Sequence, residues 1–270
     1  MISLIAVDMD GTLLDAKGNI PSRFHEVFQR LDDRKILFTV ASGRQYYRLL
    51  EAFQDISDRI VFIAENGTFV VYRGTVLYAN PIPMQDVLAL CDQGKKVPNS
   101  SIVVCGRKSA YISKIDDINR PAFLAEINKY YSKIQYVDSF ADIDDDILKF
   151  TICTFDGSEK AALPVFRRFR GRLSVVVSGN YWLDVAQPDA NKGIALVRVQ
   201  KHFGITKDQT MAFGDFLNDV ELLQNAKYSY AMANSHPDLF QHANFQAASN
   251  TEDGVLRQIE YMLDNPEEYV

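Results

Sequence analysis

The chain has 270 residues, of which 47% are hydrophobic, and its formal net charge at pH 7 is -6. This acidic balance argues against nucleic acid as the main partner, because phosphate backbones are neutralised by clustered lysine and arginine. No stretch approaches the ~18 apolar residues of a membrane span and the N-terminus lacks a signal-peptide pattern, so we expect a cytoplasmic protein without membrane contact.

The first part of the chain alternates apolar strands with helices. ISLIAV (2–7) is an almost unbroken apolar run, which is typical of a parallel strand covered on both faces. After Pro21, apolar residues recur at helical spacing, and ILFTVA (36–41) and IVFIA (60–64) are the next predicted strands. This alternation predicts right-handed crossovers and a doubly wound, mainly parallel sheet of the α/β class.

The pattern changes after the third strand. FVVYRGTVLY (69–78) is predicted to form a hairpin that turns at Arg73-Gly74. Residues 83–185 then read as antiparallel-looking strands mixed with helices, an α+β segment. One of these helices is predicted over 158–169 and contains Pro164, which interrupts helical hydrogen bonding.

The cysteines all lie in this middle segment. Cys91, Cys105 and Cys153 are odd in number, widely spaced and flanked by apolar residues. Such a set fits neither a disulfide framework nor a zinc cluster. We predict buried free thiols in a reducing compartment.

The alternation of strands and helices resumes near residue 190. The predicted elements are a helix over 191–203, strand TMAFG (210–214), a helix over 218–226, strand YSYAM (228–232) and a closing helix from Glu252. We therefore predict a discontinuous core, residues 1–82 and 186–270, interrupted by an inserted α+β cap domain over 83–185.

Polar side chains follow the predicted core strands where each strand ends. Asp8 and Asp10 come after the first strand, Ser42 after the second, and Asp215 after TMAFG, while Lys192 lies in the first turn of a helix. Ligands of open parallel sheets gather at the carboxyl ends of the strands. We expect these side chains to meet in one cleft.

Closely spaced carboxylates repel each other unless a cation lies between them. Asp8, Asp10 and Asp215 supply oxygen ligands without a nearby cysteine or histidine at metal spacing, a donor set that favours Mg²⁺ over zinc. Lys192, the Ser42 hydroxyl and nearby backbone N–H groups can bind phosphoryl oxygens. One aspartate of the pair can attack phosphorus to form an aspartyl-phosphate while the other transfers protons.

Four segments in this order, VDMDGTLL, TVASGR, NKG and GDFLND, resemble the motifs of the haloacid dehalogenase (HAD) superfamily. The long insertion, ENG (65–67), AMANS (231–235) and TEDGV (251–255) resemble its Cof-type phosphatase branch. The resemblance covers the predicted core, whereas the insertion is similar only in position and size. The family often has Gly-Asn-Ala where residues 233–235 read Ala-Asn-Ser, a departure that removes no acid.

The resemblance implies a role for each motif residue. Asp8 is the implied nucleophile and Asp10 the general acid and then base, and the implied metal ligands are Asp8, Asp10 and Asp215 around Mg²⁺. The residues expected to bind phosphate or substrate are Gly11, Ser42, Gly43, Lys192 and Asn218. Asp219 is expected to support the loop, by positioning Lys192 and metal-bound water.

The leading hypothesis is a Mg²⁺-dependent phosphatase of a small phosphorylated metabolite, with a sugar phosphate first and a phosphorylated cofactor second. The cap is expected to set specificity. A phosphosugar mutase or phosphotransferase that uses the same aspartate is the alternative, and the motifs do not separate the two. A signalling receiver fits less well, because its accepting aspartate should end a later strand and the third strand here ends in Glu65-Asn66. An inactive binding protein would have little reason to keep all four motifs together, and the sequence does not predict the oligomeric state.

Overall fold

The computed structural model describes residues 1–117 and 120–270, and these divide into two compact units. The first unit comprises Met1–Gly43, Leu50–Tyr78 and Asn191–Val270. The second comprises Arg44–Leu49 and Ala79–Ala190.

Strands and helices are numbered in chain order over the described residues. The strands are β1 (Leu4–Asp8), β2 (Leu37–Ala41), β3 (Ile60–Ala64), β4 (Phe69–Tyr72), β5 (Thr75–Ala79), β6 (Ser100–Gly106), β7 (Ala110–Ser113), β8 (Ile134–Val137), β9 (Ile147–Thr154), β10 (Ser174–Val177), β11 (Trp182–Ala186), β12 (Thr210–Gly214), β13 (Tyr228–Met232) and β14 (Phe245–Ala247). The helices are α1 (Phe24–Asp33), α2 (Tyr46–Ala52), α3 (Met84–Gly94), α4 (Lys114–Asp117), α5 (Pro121–Ile127), α6 (Leu163–Phe166), α7 (Lys192–Phe203), α8 (Val220–Gln224) and α9 (Gly254–Asp264).

The first unit is built on a sheet with the strand order β14-β13-β12-β1-β2-β3-β4-β5. The strands from β14 to β3 run parallel, and β4 pairs with β3 in the antiparallel direction. Strand β1 lies between β2 and β12, and the chain winds outward from it on both sides. The predicted doubly wound α/β fold is confirmed, and β1 marks its topological switch point.

Both faces of this sheet are covered, which explains the apolar character of its central strands. On one face Phe24 and Phe28 of α1 contact Phe38 of β2, with ring centroids 5.4 and 6.1 Å apart. Another cluster joins Leu196 of α7 with Leu4 of β1. The helices therefore fix the central strands whose carboxyl ends carry the polar side chains.

The second unit contains a sheet with the order β10-β11-β9-β6-β7-β8. Its pairs are antiparallel, as the sequence suggested, except that β7 and β8 run parallel. A parallel pair needs a crossover connection, and the segment that contains α4 and α5 makes it. Leu90 of α3 and Phe166 of α6 join Phe150 in one core cluster, whereas Phe123 of α5 joins Cys153 in another.

The cysteines are free and buried, which confirms the expectation from their spacing. Burial raises the pKa of the Cys91 thiol to about 12. A thiol with so little thiolate at neutral pH is a poor nucleophile, so Cys91 contributes to packing and not to chemistry.

Several details differ from the predicted elements. The helix predicted over 158–169 is broken into short turns, and α6 begins beside Pro164, which cannot continue the hydrogen bonding of a helix. The helix predicted from residue 218 begins at Val220, because Leu217–Asp219 forms a separate tight turn. The edge strand β14 was not predicted, since three residues are too few to show a strand pattern.

Within the described ranges, the structure contains no helix with the length and apolar character that crossing a bilayer requires.

Candidate active site

The candidate site lies in the first unit, where neighbouring parallel strands end. Asp8 is the last residue of β1, Ser42 follows β2 directly, and Asp215 follows β12 directly. Because β1 pairs with both β2 and β12, these three positions lie side by side at one edge of the sheet. The polar residues that the sequence singled out at the strand ends are therefore neighbours in the fold.

Lys192 joins two of the acids. Asn191 caps α7 by accepting a hydrogen bond from the backbone N–H of Ile194 at 2.8 Å, which begins the helix at Lys192. The Lys192 side chain is buried, and its Nζ donates to Asp8 Oδ1 at 2.5 Å and to Asp219 Oδ1 at 2.6 Å. One buried ammonium thus binds two carboxylates.

Asp219 is fully buried and organises the loop after β12. Its Oδ2 accepts hydrogen bonds from the backbone N–H groups of Asp215 at 3.1 Å and Phe216 at 3.3 Å, while its Oδ1 binds Lys192. Asp219 therefore fixes the backbone of Asp215 and the ammonium of Lys192 together.

Three carboxylates form a cluster that can hold a metal ion. One oxygen from each of Asp8, Asp215 and Asp219 lies within 4.8 Å of the others. Thr12 Oγ1 donates to Asp215 Oδ1 at 3.0 Å and so orients that acid. Oxygen donors at this spacing suit a hard divalent cation. The side chain of Asp10 is exposed and does not join this cluster.

The cluster holds more negative charge than Lys192 balances. Burial, and then the charges of Asp219 and Asp215, raise the pKa of Asp8 above its usual range despite the opposing effect of Lys192. Burial and the charge of Asp219 raise the pKa of Asp215 to about 6. Burial alone would lower the pKa of Lys192, but the two carboxylates outweigh it and raise that pKa. A bound cation would relieve the repulsion among the acids, so the donor set fits a divalent metal.

The backbone after β1 approaches Asp215 too closely for any side chain. Residues Met9–Leu13 form one wide turn in which Gly11 has a φ of +81°. A Cβ atom at Gly11 would lie 2.2 Å from Asp215 Oδ2, so only glycine fits at this position. The carbonyl oxygen of Gly11 accepts a hydrogen bond from Asn234 Nδ2 at 2.8 Å.

Asn234 explains why the Ala-Asn-Ser segment is compatible with the site. Its amide holds Gly11, and its Oδ1 accepts from the backbone N–H of Asn250 at 3.1 Å. The departure from Gly-Asn-Ala retains this asparagine. Sequence reasoning noted the segment but gave Asn234 no role, and it also missed Thr12, although both lie inside the quoted motifs.

Three of the residues predicted to bind phosphate or substrate, Ser42, Gly43 and Asn218, lie beside Asn66. A Cβ at Gly43 would lie 2.9 Å from Asn66 Oδ1. The backbone N–H of Asn66 donates a hydrogen bond to the carbonyl oxygen of Ser42 at 3.0 Å. The Nδ2 of Asn218 donates to Asn66 Oδ1 at 3.3 Å. Ser42 is buried, whereas Asn218 is exposed. Their phosphate-binding role, like that of Gly11 and Lys192, stays a prediction.

Comparison with known proteins adds an independent finding. The haloacid dehalogenase-like hydrolase family matches residues 5–259 of the chain. The chain is similar to the 5-amino-6-(5-phospho-D-ribitylamino)uracil phosphatase YbjI of Escherichia coli (strain K12), with 35% identity over 265 residues that cover 97% of this chain and 96% of YbjI. YitU of Bacillus subtilis (strain 168), a phosphatase named for the same compound, is 25% identical over 94% of this chain and 95% of its own length.

The fold has a close match among solved structures. The crystal structure of a Streptococcus mutans UA159 protein superposes with a TM-score of 0.86 and 31% sequence identity. The alignment covers 98% of this chain and 100% of that protein. The similarity therefore extends over both units of the chain.

Proposed function

The chain belongs to the haloacid dehalogenase-like hydrolases, and on that premise we propose that this phosphatase is Mg²⁺-dependent and forms an aspartyl-phosphate on Asp8. The observation that carries the proposal is the position of the Asp8 carboxylate. It ends the central strand, binds the buried ammonium of Lys192 at 2.5 Å, and belongs to an acidic cluster that suits a divalent cation. The expected substrate is a small phosphorylated metabolite.

The chemistry divides into two displacements at phosphorus. An oxygen of Asp8 attacks the phosphorus atom, the ester P–O bond breaks, and the leaving alkoxide takes a proton from Asp10. Asp10 then removes a proton from water, the water oxygen attacks the aspartyl-phosphate, and the P–O bond to Asp8 breaks. Asp8 is regenerated and orthophosphate leaves. The exposed position of Asp10, two residues beyond Asp8, suits a group that exchanges protons with both the leaving group and water.

The side chains of Asp8 and Asp215 and the backbone carbonyl of Asp10 are the proposed ligands of Mg²⁺. Asp219 is proposed to support these ligands without binding the metal, because its two oxygens already bind Lys192 and the loop backbone. When bound, the cation supplies positive charge that neutralises the transferring phosphoryl group. Lys192, Ser42 and the backbone N–H groups near Gly43 are proposed to bind the remaining phosphoryl oxygens.

The proposed substrates are phosphate monoesters of sugars or sugar alcohols. The two relatives named above act, by their names, on a compound whose phosphate ends a ribityl chain attached to uracil. Such a primary ester belongs to the same chemical class as a sugar phosphate. We also propose that the inserted segment, residues 83–185, is a cap domain that selects among these esters. Hydrolysis is preferred over a mutase reaction because the relatives are named phosphatases.

A phosphate-release screen with Mg²⁺ tests this function. The panel should include pentose and hexose phosphates, 5-amino-6-(5-phospho-D-ribitylamino)uracil, pyridoxal phosphate and flavin mononucleotide. We expect the highest kcat/KM with a sugar or ribityl phosphate, and free orthophosphate as the product. A phosphate that moves to another hydroxyl, seen by phosphorus NMR, would instead identify a mutase, and a wholly inactive panel would contradict the proposal.

Mg²⁺ should stabilise the fold more strongly as the pH rises. The folded protein without a cation holds protons on Asp8 and Asp215 that the unfolded chain releases, since both carboxyl pKa values are raised, that of Asp215 to about 6. Ionisation of these acids therefore lowers stability as the pH rises through that window, and a cation offsets the loss. The rise in Tm with Mg²⁺ relative to EDTA should grow between about pH 5 and about pH 8.

Two variants make this measurement specific. Asp215→Asn should flatten the pH dependence of the Mg²⁺ effect, because it removes one of the titrating ligands. Asp208→Asn is the matched control, since Asp208 is exposed and precedes β12 at the opposite end of the strand from Asp215. EDTA should also stop phosphate release, and added Mg²⁺ should restore it. If Mg²⁺ raised the Tm equally at about pH 5 and about pH 8, a cation held by these acids would be contradicted.

A further inference from the structure

The turn Glu65–Gly67, which follows β3, has an unusual backbone. All three residues have positive φ, at 50° for Glu65, 56° for Asn66 and 97° for Gly67. Non-glycine residues in the left-handed region are strained and persist only where the surrounding contacts hold them. Consecutive left-handed residues therefore indicate that contacts from neighbouring segments hold this turn in place.

The turn lies against the helix that carries Lys192. A Cβ atom at Gly67 would lie 2.2 Å from the carbonyl oxygen of Asn191 and 2.8 Å from the backbone nitrogen of Lys192. A side chain at Gly67 would push the start of α7 away. The two backbones are therefore in close contact where α7 begins.

Asn66 contacts the other predicted phosphate-binding loops. Its backbone N–H donates to the carbonyl of Ser42 at 3.0 Å, and its Oδ1 accepts from Asn218 Nδ2 at 3.3 Å. The same side chain fills the space beside Gly43, where a Cβ would lie 2.9 Å from Oδ1. One residue therefore touches the loop after β2 and the loop after β12, which are separate in sequence.

Asparagine suits this position for two physical reasons. It tolerates the left-handed region better than most residues, and its carboxamide both donates and accepts hydrogen bonds. We propose that Asn66 is a positioning residue that sets the spacing of Ser42–Gly43 relative to Asn218 and so shapes the phosphoryl pocket. This inference rests on the proposed function, and it assigns a role to a residue that the mechanism above does not use.

Asn66→Gly tests the proposal, because glycine adopts the left-handed backbone without strain and lacks the side chain that carries the carboxamide. With p-nitrophenyl phosphate and Mg²⁺, we expect kcat/KM to fall by about 10- to 100-fold, the order of loss that misplaced binding groups cause. The affinity for orthophosphate, measured by calorimetry with Mg²⁺, should fall as well.

Lys35→Gly is the control, since Lys35 is exposed, has a φ of 57°, and precedes β2 at the opposite end from Ser42. It should match the wild type in both measurements.

A double-mutant cycle separates positioning from general structural support. If Asn66 acts through Asn218, the variant Asn66→Gly with Asn218→Ala should lose no more kcat/KM than the worse single variant. Losses that multiply would overturn the proposal, and so would wild-type kcat/KM and orthophosphate affinity in Asn66→Gly. A lower Tm with unchanged kinetics would likewise assign Asn66 a purely structural role.

Binding of orthophosphate can be measured without any hydrolysis. It therefore tests the positioning role of Asn66 separately from the proposed phosphatase function. If the wild-type chain hydrolyses no ester, the proposed function fails, yet weaker orthophosphate binding by Asn66→Gly would still support the positioning role. A wild-type chain that does not bind orthophosphate with Mg²⁺ would overturn the inference.

Discussion

Asp8→Asn should abolish phosphate release while leaving the fold intact. The amide retains the size of the carboxylate but is a poor nucleophile, so we expect kcat to fall by at least about 10,000-fold, an effect of the order seen when other enzymes lose their nucleophile. Without a cation, the variant should be at least as stable as the wild type. Burial and neighbouring charges disfavour ionised Asp8, and the change removes one negative charge from the cluster.

The control for this variant is Asp208→Asn, the same change at an exposed position outside the site. It should leave kcat and Tm unchanged. Circular dichroism and thermal melts of both variants show whether lost activity reflects lost chemistry or lost structure. A folded Asp8→Asn enzyme with more than a small residual rate would mean that another group attacks phosphorus.

Lys192→Met should reduce both stability and activity strongly. Methionine fills similar space, but it leaves the buried carboxylates of Asp8 and Asp219 without their ammonium. Removal of one partner from a buried ion pair typically costs ~3–5 kcal/mol of folding free energy. We also expect kcat/KM to fall by about 1,000-fold, because a charge-stabilising donor is lost from the phosphoryl site.

The instability of Lys192→Met should depend on pH. The ammonium lowers the pKa of Asp8, so its loss raises that pKa further above the value in the unfolded chain. The folded variant then binds a proton that the unfolded chain releases, and its stability should increase as the pH falls. Denaturant unfolding at several pH values measures this trend.

Two further variants sharpen the test of Lys192. Lys201→Met is the control on the same helix, because Lys201 is exposed on α7, and it should behave as the wild type. Adding Asp8→Asn to Lys192→Met should restore part of the stability without restoring activity. A stable and active Lys192→Met enzyme would contradict the role of this lysine in charge compensation.

Much of the core could be predicted from the sequence because its signals are local. Strand β1 is a continuous apolar run, and Asp8 ends it, so the position of the acid at the sheet edge followed from the strand itself. The strand TMAFG was predicted with its observed bounds, and it places Asp215 directly beyond Gly214. The parallel strand order then brings these ends together.

The residues that the sequence did not reveal act through contacts distant along the chain. Thr12 binds Asp215, Asn234 binds the carbonyl of Gly11, and Asn66 binds Asn218. These bonds form only when separate loops close on each other, so neither spacing nor periodicity predicts them. The short strand β14 was missed for a related reason, since pairing at the sheet edge, and not local pattern, defines it. The break in the helix predicted over 158–169 has a local cause, Pro164, which the sequence had already marked as an interruption.

The most direct measurement is to trap the phosphorylated enzyme and locate the modified residue. The enzyme is mixed with Mg²⁺ and a phosphate ester that it hydrolyses, and the reaction is quenched in cold acid. Borohydride then reduces any acyl phosphate to the corresponding alcohol. We predict homoserine at position 8 in the peptide mass spectrum, and no such product in Asp8→Asn. Reduction at a different residue, or an unmodified Asp8 during active turnover, would contradict the account.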